Sequence, residues 1–269
     1  MRTPSAWPTA QPEYSAFQGI VETFAPISLA EMDAVALLDR IDLKFLLTPD
    51  QLLAMLAPLA QSYRALSVNH VRLNRYRTLY FDTPNFAFYH VHHNGSQGRF
   101  KVRFRSYVDS ELTFFEVKGK NNKGRTFKRR LRVPQIETSL DDRANDFLCA
   151  TLPAPVPPLE AKLWNNFVRV TLVDAAQTER LTIDWNINFS TQGWHTQVPN
   201  LVIAELKQRS YGRGSHVLHL LHTLRAGELS FSKYCIGTAL HYPHLKQNNF
   251  KPIFLRMHKL GAIPISSTI

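Results

Sequence analysis

The sequence predicts an α+β fold: an antiparallel β-barrel of about eight strands, charged inside and covered by helices outside. Three observations predict it. First, Gly98-Arg99-Phe100-Lys101-Val102-Arg103-Phe104-Arg105 alternates basic and apolar residues without a slip. Successive side chains of a strand point to opposite faces, so Arg99, Lys101, Arg103 and Arg105 share one face and Phe100, Val102 and Phe104 the other. Second, the pattern recurs in strand after strand, with arginine and lysine dominating the polar face. Third, helix-start signals and apolar stripes at helical spacing lie between and after these strands.

The elements follow in order. Residues 1–27 are read as a poorly ordered arm, Pro- and Ala-rich over 1–12 and without the apolar stretch of a signal peptide. Residues 28–38 are helix-compatible, with Ser28 and Glu31 spaced as a capping box. Residues 40–47 alternate as a strand. Thr48-Pro49-Asp50-Gln51 then starts a helix running to about 60, with Thr48 as N-cap and Pro49 at the first helical position. Residues 70–83 read as a strand, 85–93 as a short helix or turn, and 99–109, 112–120 and 125–133 as strands. Asn121-Asn122-Lys123-Gly124 forms a hairpin turn between the last two. Residues 141–151 are helical, 153–158 a proline linker, and 162–173, 180–189 and 201–209 strands. Residues 216–225 and 232–240 are helical. Strands on both sides of the linker carry the same pattern, so residues 28–245 form one domain, followed by a tail at 246–269.

Side by side, the strands share their chemistry. Arg40, Asp42 and Lys44 oppose Ile41, Leu43 and Phe45; Glu116 and Lys118 oppose Phe115 and Val117. Thr126, Lys128, Arg130 and Arg132 oppose Phe127 and Leu131, with Arg129 out of pattern on the apolar side. Arg169 and Thr171, Arg180 and Asp184, and Glu205 and Lys207 continue the series. One such strand is an ordinary sheet with one wet face. A face on which every strand is basic is not, because closely spaced cations repel and resist desolvation.

Composition narrows the function. The chain has 269 residues, is 44% hydrophobic and carries a net charge of +11, with a pI near 9.8. A sizeable core is affordable, and the partner is anionic: nucleic acid, a membrane surface or a phosphorylated ligand. Two cysteines, Cys149 and Cys235, give neither a disulfide framework nor a zinc spacing. A reducing, cytoplasmic setting fits, and no apolar run approaches the roughly 18 residues that span a bilayer. A basic barrel interior needs a polyanion to neutralise it. Arginine forks grip phosphate oxygens, lysines add point charge, and a few carboxylates hold a divalent metal bridging those oxygens. The arrangement predicts a tunnel for a phosphate chain. His90, His92 and His93 are read as a helix-end surface cluster, Cys149 and Trp164, Trp185 and Trp194 as packing residues, and Leu218, Leu220, Leu221 and Leu224 as a stripe covering the barrel.

Arg40-Ile41-Asp42-Leu43-Lys44, Thr78-Leu79-Tyr80-Phe81-Asp82-Thr83, Lys101-Val102-Arg103-Phe104-Arg105, Phe115-Glu116-Val117-Lys118 and Phe231-Ser232-Lys233-Tyr234 occur in that order. Together, over roughly residues 30–240, they resemble the VTC domain, the polyphosphate polymerase domain of the vacuolar transporter chaperone complex and its bacterial relatives. That domain belongs to the triphosphate tunnel metalloenzymes of CYTH-like type. The resemblance implies a metal-dependent polyphosphate polymerase that moves the γ-phosphate of ATP onto a growing chain inside the tunnel. It implies catalytic roles for Arg103, Arg105, Lys118, Lys128 and Lys233, and phosphate binding by Arg40, Lys44, Arg130, Arg169, Arg180, Lys207 and Ser232. Glu205 resembles the ligand of a catalytic Mn²⁺ or Mg²⁺, with Glu116 and Asp184 as secondary candidates. The first strand reads Arg40-x-Asp42-x-Lys44 where hydrolase and cyclase members read Glu-x-Glu-x-Lys. A metal-binding acid is traded for a cation.

Two rival classes remain compatible: a triphosphatase of the same fold, and a binding module that holds polyphosphate or nucleotide without turning it over. Nucleic acid is not the expected partner, because the basic faces carry few aromatics for stacking and no helix is strongly basic. A membrane-protein partner is compatible with the resemblance, and the oligomeric state is left open.

Overall fold

The computed structural model describes residues 12–33, 41–120, 126–153, 157–208 and 214–264. Chain order is α1 (Pro12–Glu22), β1 (Ala25–Ile27), α2 (Leu29–Asp33), β2 (Ile41–Leu47), α3 (Pro49–Leu59), β3 (Tyr63–Leu66), β4 (Asn74–Asp82), α4 (Ala87–His93), β5 (Arg99–Tyr107), β6 (Leu112–Lys120), β7 (Thr126–Val133), α5 (Asp142–Thr151), β8 (Glu160–Asp174), β9 (Glu179–Ser190), β10 (His195–Val198), β11 (Val202–Gln208), α6 (His216–Thr223), α7 (Lys233–His241) and α8 (Lys251–Lys259).

The sheet has 11 strands, along the path β2-β11-β9-β8-β4-β5-β6-β7, with β1, β3 and β10 branching from it. Neighbours on the path are antiparallel, and only the short β1–β3 pairing is parallel. The expected closed eight-stranded barrel is therefore corrected to an open sheet: among the described residues no ladder joins β2 to β7. Alternation dictates which face a side chain takes, not whether two edges meet. The β7 edge bears exposed Lys128, Arg129, Arg130 and Arg132, and charge on an edge strand discourages pairing. The sheet still curls until its ends face each other, because Lys44 of β2, Lys118 of β6 and Thr126 of β7 line one cavity of about 230 Å³.

Local signals place the helices. Thr48 and Gln51 exchange side chain-to-backbone bonds of 3.2 and 3.0 Å in a capping box that starts α3, and Ser28 and Glu31 do the same before α2. On the convex side, α1, α3 and α6 cover Leu43, Phe45, Leu181, Ile183 and Leu206, and α5 covers Val102, Phe104, Phe115 and Val117. The leucine stripe of α6 packs there as expected, with Leu218 and Leu221 buried and Leu220 and Leu224 against them.

At one end the inward positions turn apolar (Leu46, Tyr80, Leu163, Ile203), and they pack in one cluster with residues of α4, α7 and α8. Gly237 permits that seat on the sheet, since a Cβ there would lie 2.5 Å from Phe189 and 2.7 Å from Leu163. Buried Asp82 ties the plug together, accepting the backbone amides of Phe88 and Tyr89 at 2.9 Å and the Tyr234 hydroxyl.

Several expectations need amendment. The segment read as a disordered arm carries α1 and β1, with Phe17, Val21, Phe24 and Ile27 buried. The tail carries α8, which buries Ile253, Phe254 and Met257. Cys149 is exposed, and so is Trp194 at 74%, whereas Trp164 and Trp185 are core. His93 is buried rather than at the surface, bonded to Asn94 and Asn249. Arg40 and the Asn121–Gly124 turn lie outside the described residues.

Candidate phosphate tunnel

Cross-strand register brings the predicted charges to one concave face. Arg103 stands opposite Glu116, which stands opposite Arg130; Lys101, Lys118 and Lys128 form the neighbouring row. On the other half of the sheet Arg169 faces Asp184, Lys207 faces Arg180 and Asp42, and Glu205 faces Lys44. Lys233, in the first turn of α7, reaches the same face through Asp184. Ser232 caps α7, accepting from the Cys235 amide. The opposite phase of each strand is the convex core, so no side chain is free to change face.

Buried Glu116 and Asp184 and the partly buried Glu205 are each clamped by two cations. Glu116 Oε2 accepts from Arg103 Nε at 2.9 Å and Nη2 at 2.7 Å, and Lys128 Nζ lies 2.5 Å from Oε1. Arg169 grips Asp184 in bidentate fashion, at 2.5 Å and 2.7 Å, and Lys233 holds the same carboxylate. Glu205 Oε1 takes Lys207 and, at 3.5 Å, Lys44. Burial opposes ionisation of all three acids, but the adjacent cations win and hold each carboxyl below its usual range.

Other cations are not held in an ion pair among the described residues. Arg105 is 7% exposed; it donates to Thr78 Oγ1 at 3.2 Å and lies over the rings of Tyr76 and Phe167. Among the described residues it meets no carboxylate within ion-pair distance. Of the lysine row, Lys101 and Lys118 likewise meet no carboxylate within ion-pair distance among the described residues. Desolvation and the facing Lys101 push the Lys118 ammonium down to about 8, although solvent still reaches its side chain. Desolvation also lowers Lys101. Burial and these lysines drive His92, which lines the same cavity, down to about 3, leaving it neutral. The Tyr80 phenol is lowered: burial alone would raise it, but Arg103, Arg105, Lys101 and Lys233 outweigh that. A buried guanidinium without an acid and like charges in direct register are both unfavourable in an empty protein. Both are relieved by an anion.

The family model of the VTC domain matches residues 39–242. The chain belongs to the VTC domain family. No curated protein matches it. Among solved structures, this VTC domain is similar to a putative adenylyl cyclase from Hippeastrum described as having a dominant triphosphatase activity (14% identity, 74% of this chain and 95% of that one, TM-score 0.47). It is also similar to a putative adenylate cyclase from Bacillus halodurans (14%, 72% and 94%, TM-score 0.42) and to a conserved hypothetical protein from Pyrococcus furiosus (11%, 70% and 92%, TM-score 0.39).

The VTC domain thus brings Lys44, Arg103, Arg105, Lys118, Lys128, Arg130, Arg169, Arg180, Lys207 and Lys233 to one face, with Ser232 at its edge. Glu116, Asp184 and Glu205 are brought to that face but not to one another: among the described residues no group of three or more His, Cys, Asp or Glu side chains converges. Sequence reasoning passed over Lys101, Tyr80, Thr78 and His92 as site residues. The first three were legible, since each falls in the inward phase of its strand; His92 comes from α4, where no strand phase applies.

Proposed function

We propose that the concave face binds a phosphate chain and that the protein is a metal-dependent phosphotransferase, extending inorganic polyphosphate with the γ-phosphate of ATP. The observation that carries this is Arg105: a buried guanidinium lying over two rings, on the concave face, with no carboxylate within ion-pair distance among the described residues. Its neighbours Arg103 and Arg169 are each held through two guanidinium nitrogens by one carboxylate, so their remaining donors are pre-aimed at a ligand.

Glu205 suits a divalent cation. Its side chain is the most accessible of the three clamped acids, at 21% against 1% for Glu116 and 3% for Asp184. Both of its lysines contact the same oxygen, Oε1. With a single carboxylate and two ammoniums nearby, a hard cation would be held jointly by Glu205 and phosphate oxygens. When bound, Mn²⁺ or Mg²⁺ supplies charge neutralisation along the triphosphate.

The protein's own work is positioning and electrostatics. Arg103, Arg105 and Arg169 grip the triphosphate, and Lys44, Lys118, Lys128 and Lys233 surround the transferring group; Arg130, Arg180, Lys207 and Ser232 complete the wall. An already ionised terminal oxygen of the chain attacks the γ-phosphorus. The bond from that phosphorus to the β–γ bridging oxygen breaks, and ADP leaves with the electron pair. No general base is required.

Incubating the pure protein with ATP and Mn²⁺ tests the proposal: a phosphate ladder on a gel is the expected result. Free phosphate alone would mean a hydrolase, and neither product a binding module.

A further inference from the structure

One aromatic side chain of the charged face stands apart from the apolar core. Phe114 lies in the inward phase of β6, in register between Arg105 of β5 and Arg132 of β7. It is half-buried and belongs to none of the apolar core clusters of the described residues. Its partners are the exposed Arg130, whose guanidinium lies over the ring 4.8 Å from the centroid, and Tyr107, edge-on at 6.0 Å and 85°. Tyr107 in turn meets Tyr76, the ring beneath Arg105. The contacts with Arg130 and Tyr107 hold the half-buried ring in place and leave its remaining surface able to meet a flat ligand.

We propose that Phe114, Arg130 and Tyr107 form the nucleobase site of the donor nucleotide, so that the nucleoside sits at this end of the face and the triphosphate points from Arg105 toward the lysine row. This rests on the phosphate-tunnel reading and adds a direction to it. One two-residue step along a strand is about 6.8 Å, so Phe114 lies one step beyond Glu116 and two beyond Lys118. A base stacked on the Arg130–Phe114 pair therefore leaves its phosphates running past Arg105 and Arg103 toward Lys101 and Lys118. Stacking on an aromatic ring and a guanidinium plane reads any base by its π-face. The site therefore distinguishes nucleotides from bare phosphate rather than one base from another.

The test is equilibrium binding of ATP and of inorganic tripolyphosphate, without divalent metal, to the wild type, Phe114→Leu and Phe114→Ala, with thermal unfolding of each variant. Phe114→Leu keeps apolar bulk and removes the π-face. Both variants are expected to weaken ATP by roughly 5- to 150-fold, the value of one stacked base, and tripolyphosphate by less than about 2-fold. Unchanged ATP affinity overturns the base site. So does an equal loss for both ligands, which would make the ring a support for Arg130. A wild type that fails to bind tripolyphosphate at all instead defeats the phosphate-tunnel reading.

Discussion

Replacing Arg105 with methionine separates a ligand-binding guanidinium from a structural one. The substitution keeps an unbranched stem and removes the charge. In the unliganded protein it forfeits the bond to Thr78, worth about 1 kcal/mol, and contacts with two rings, worth about 0.5–2 kcal/mol. Against that it removes a 7%-exposed charge with no carboxylate within ion-pair distance among the described residues, whose burial costs several kcal/mol. The terms nearly offset, so unliganded stability should stay within about 1–2 kcal/mol of wild type, or rise. Tripolyphosphate affinity should fall by at least one charge-assisted hydrogen bond, about 1.5–3 kcal/mol or roughly 10- to 150-fold. Arg103→Met should behave differently, because it strips buried Glu116 of the guanidinium bonded to it and should cost about 3 kcal/mol of stability. Thermal unfolding and calorimetric titration of both variants give the four numbers. If Arg105→Met lost more than about 3 kcal/mol of stability yet bound tripolyphosphate like wild type, the guanidinium would be a structural element and the reasoning wrong.

Other outcomes follow from the same geometry. Lys118, lowered to about 8, binds anions in its protonated form; relative to Lys118→Arg, affinity for tripolyphosphate should fall as pH rises through about 8, by up to about tenfold per pH unit, until the higher bound-state pKa is passed. Lys118→Arg should remove that step from a titration over pH 7–9.5. Glu205→Gln should abolish metal-dependent turnover while phosphate binding persists or tightens, since Lys44 and Lys207 lose their acid; undiminished turnover would take Glu205 out of the site. Gly237→Ala should cost about 1–3 kcal/mol by overpacking and shift Lys233 and Ser232 with α7, read as a lower midpoint of thermal unfolding and reduced activity.

Much of the site was legible because strand phase is a strict rule. Arg103, Lys118, Arg169 and Glu205 each sit on the predicted face, and one slip of register would have reversed them. The capping boxes at Thr48 and Ser28 were legible because both reciprocal partners are local. Closure was not: the facing edges β2 and β7 are distant in the chain, and repulsion along β7 leaves no mark on alternation. Short β1, β3 and β10 offer too few residues for a period to show. The apolar plug was written as runs such as Phe45-Leu46-Leu47 and Val202-Ile203-Ala204, where both faces are buried and alternation lapses. α1 was hidden behind the Pro- and Ala-rich start, though Phe17, Val21 and Phe24 follow helical spacing. The double clamps on Glu116 and Asp184 depend on side-chain reach across strands and from α7, which no linear pattern carries.

The central claim is that the basic charge serves an inward phosphate site and not an outer surface. Displacement of a labelled ATP analogue tests it most directly, with inorganic tripolyphosphate and duplex DNA of equal phosphate content as competitors. Tripolyphosphate should win at far lower concentration, and Arg103→Ala and Arg105→Ala should each weaken it by roughly 1.5–3 kcal/mol. Arg129→Ala, on the outward phase of β7, should cost much less. DNA as the better competitor, with Arg129 the dominant residue, would contradict the account.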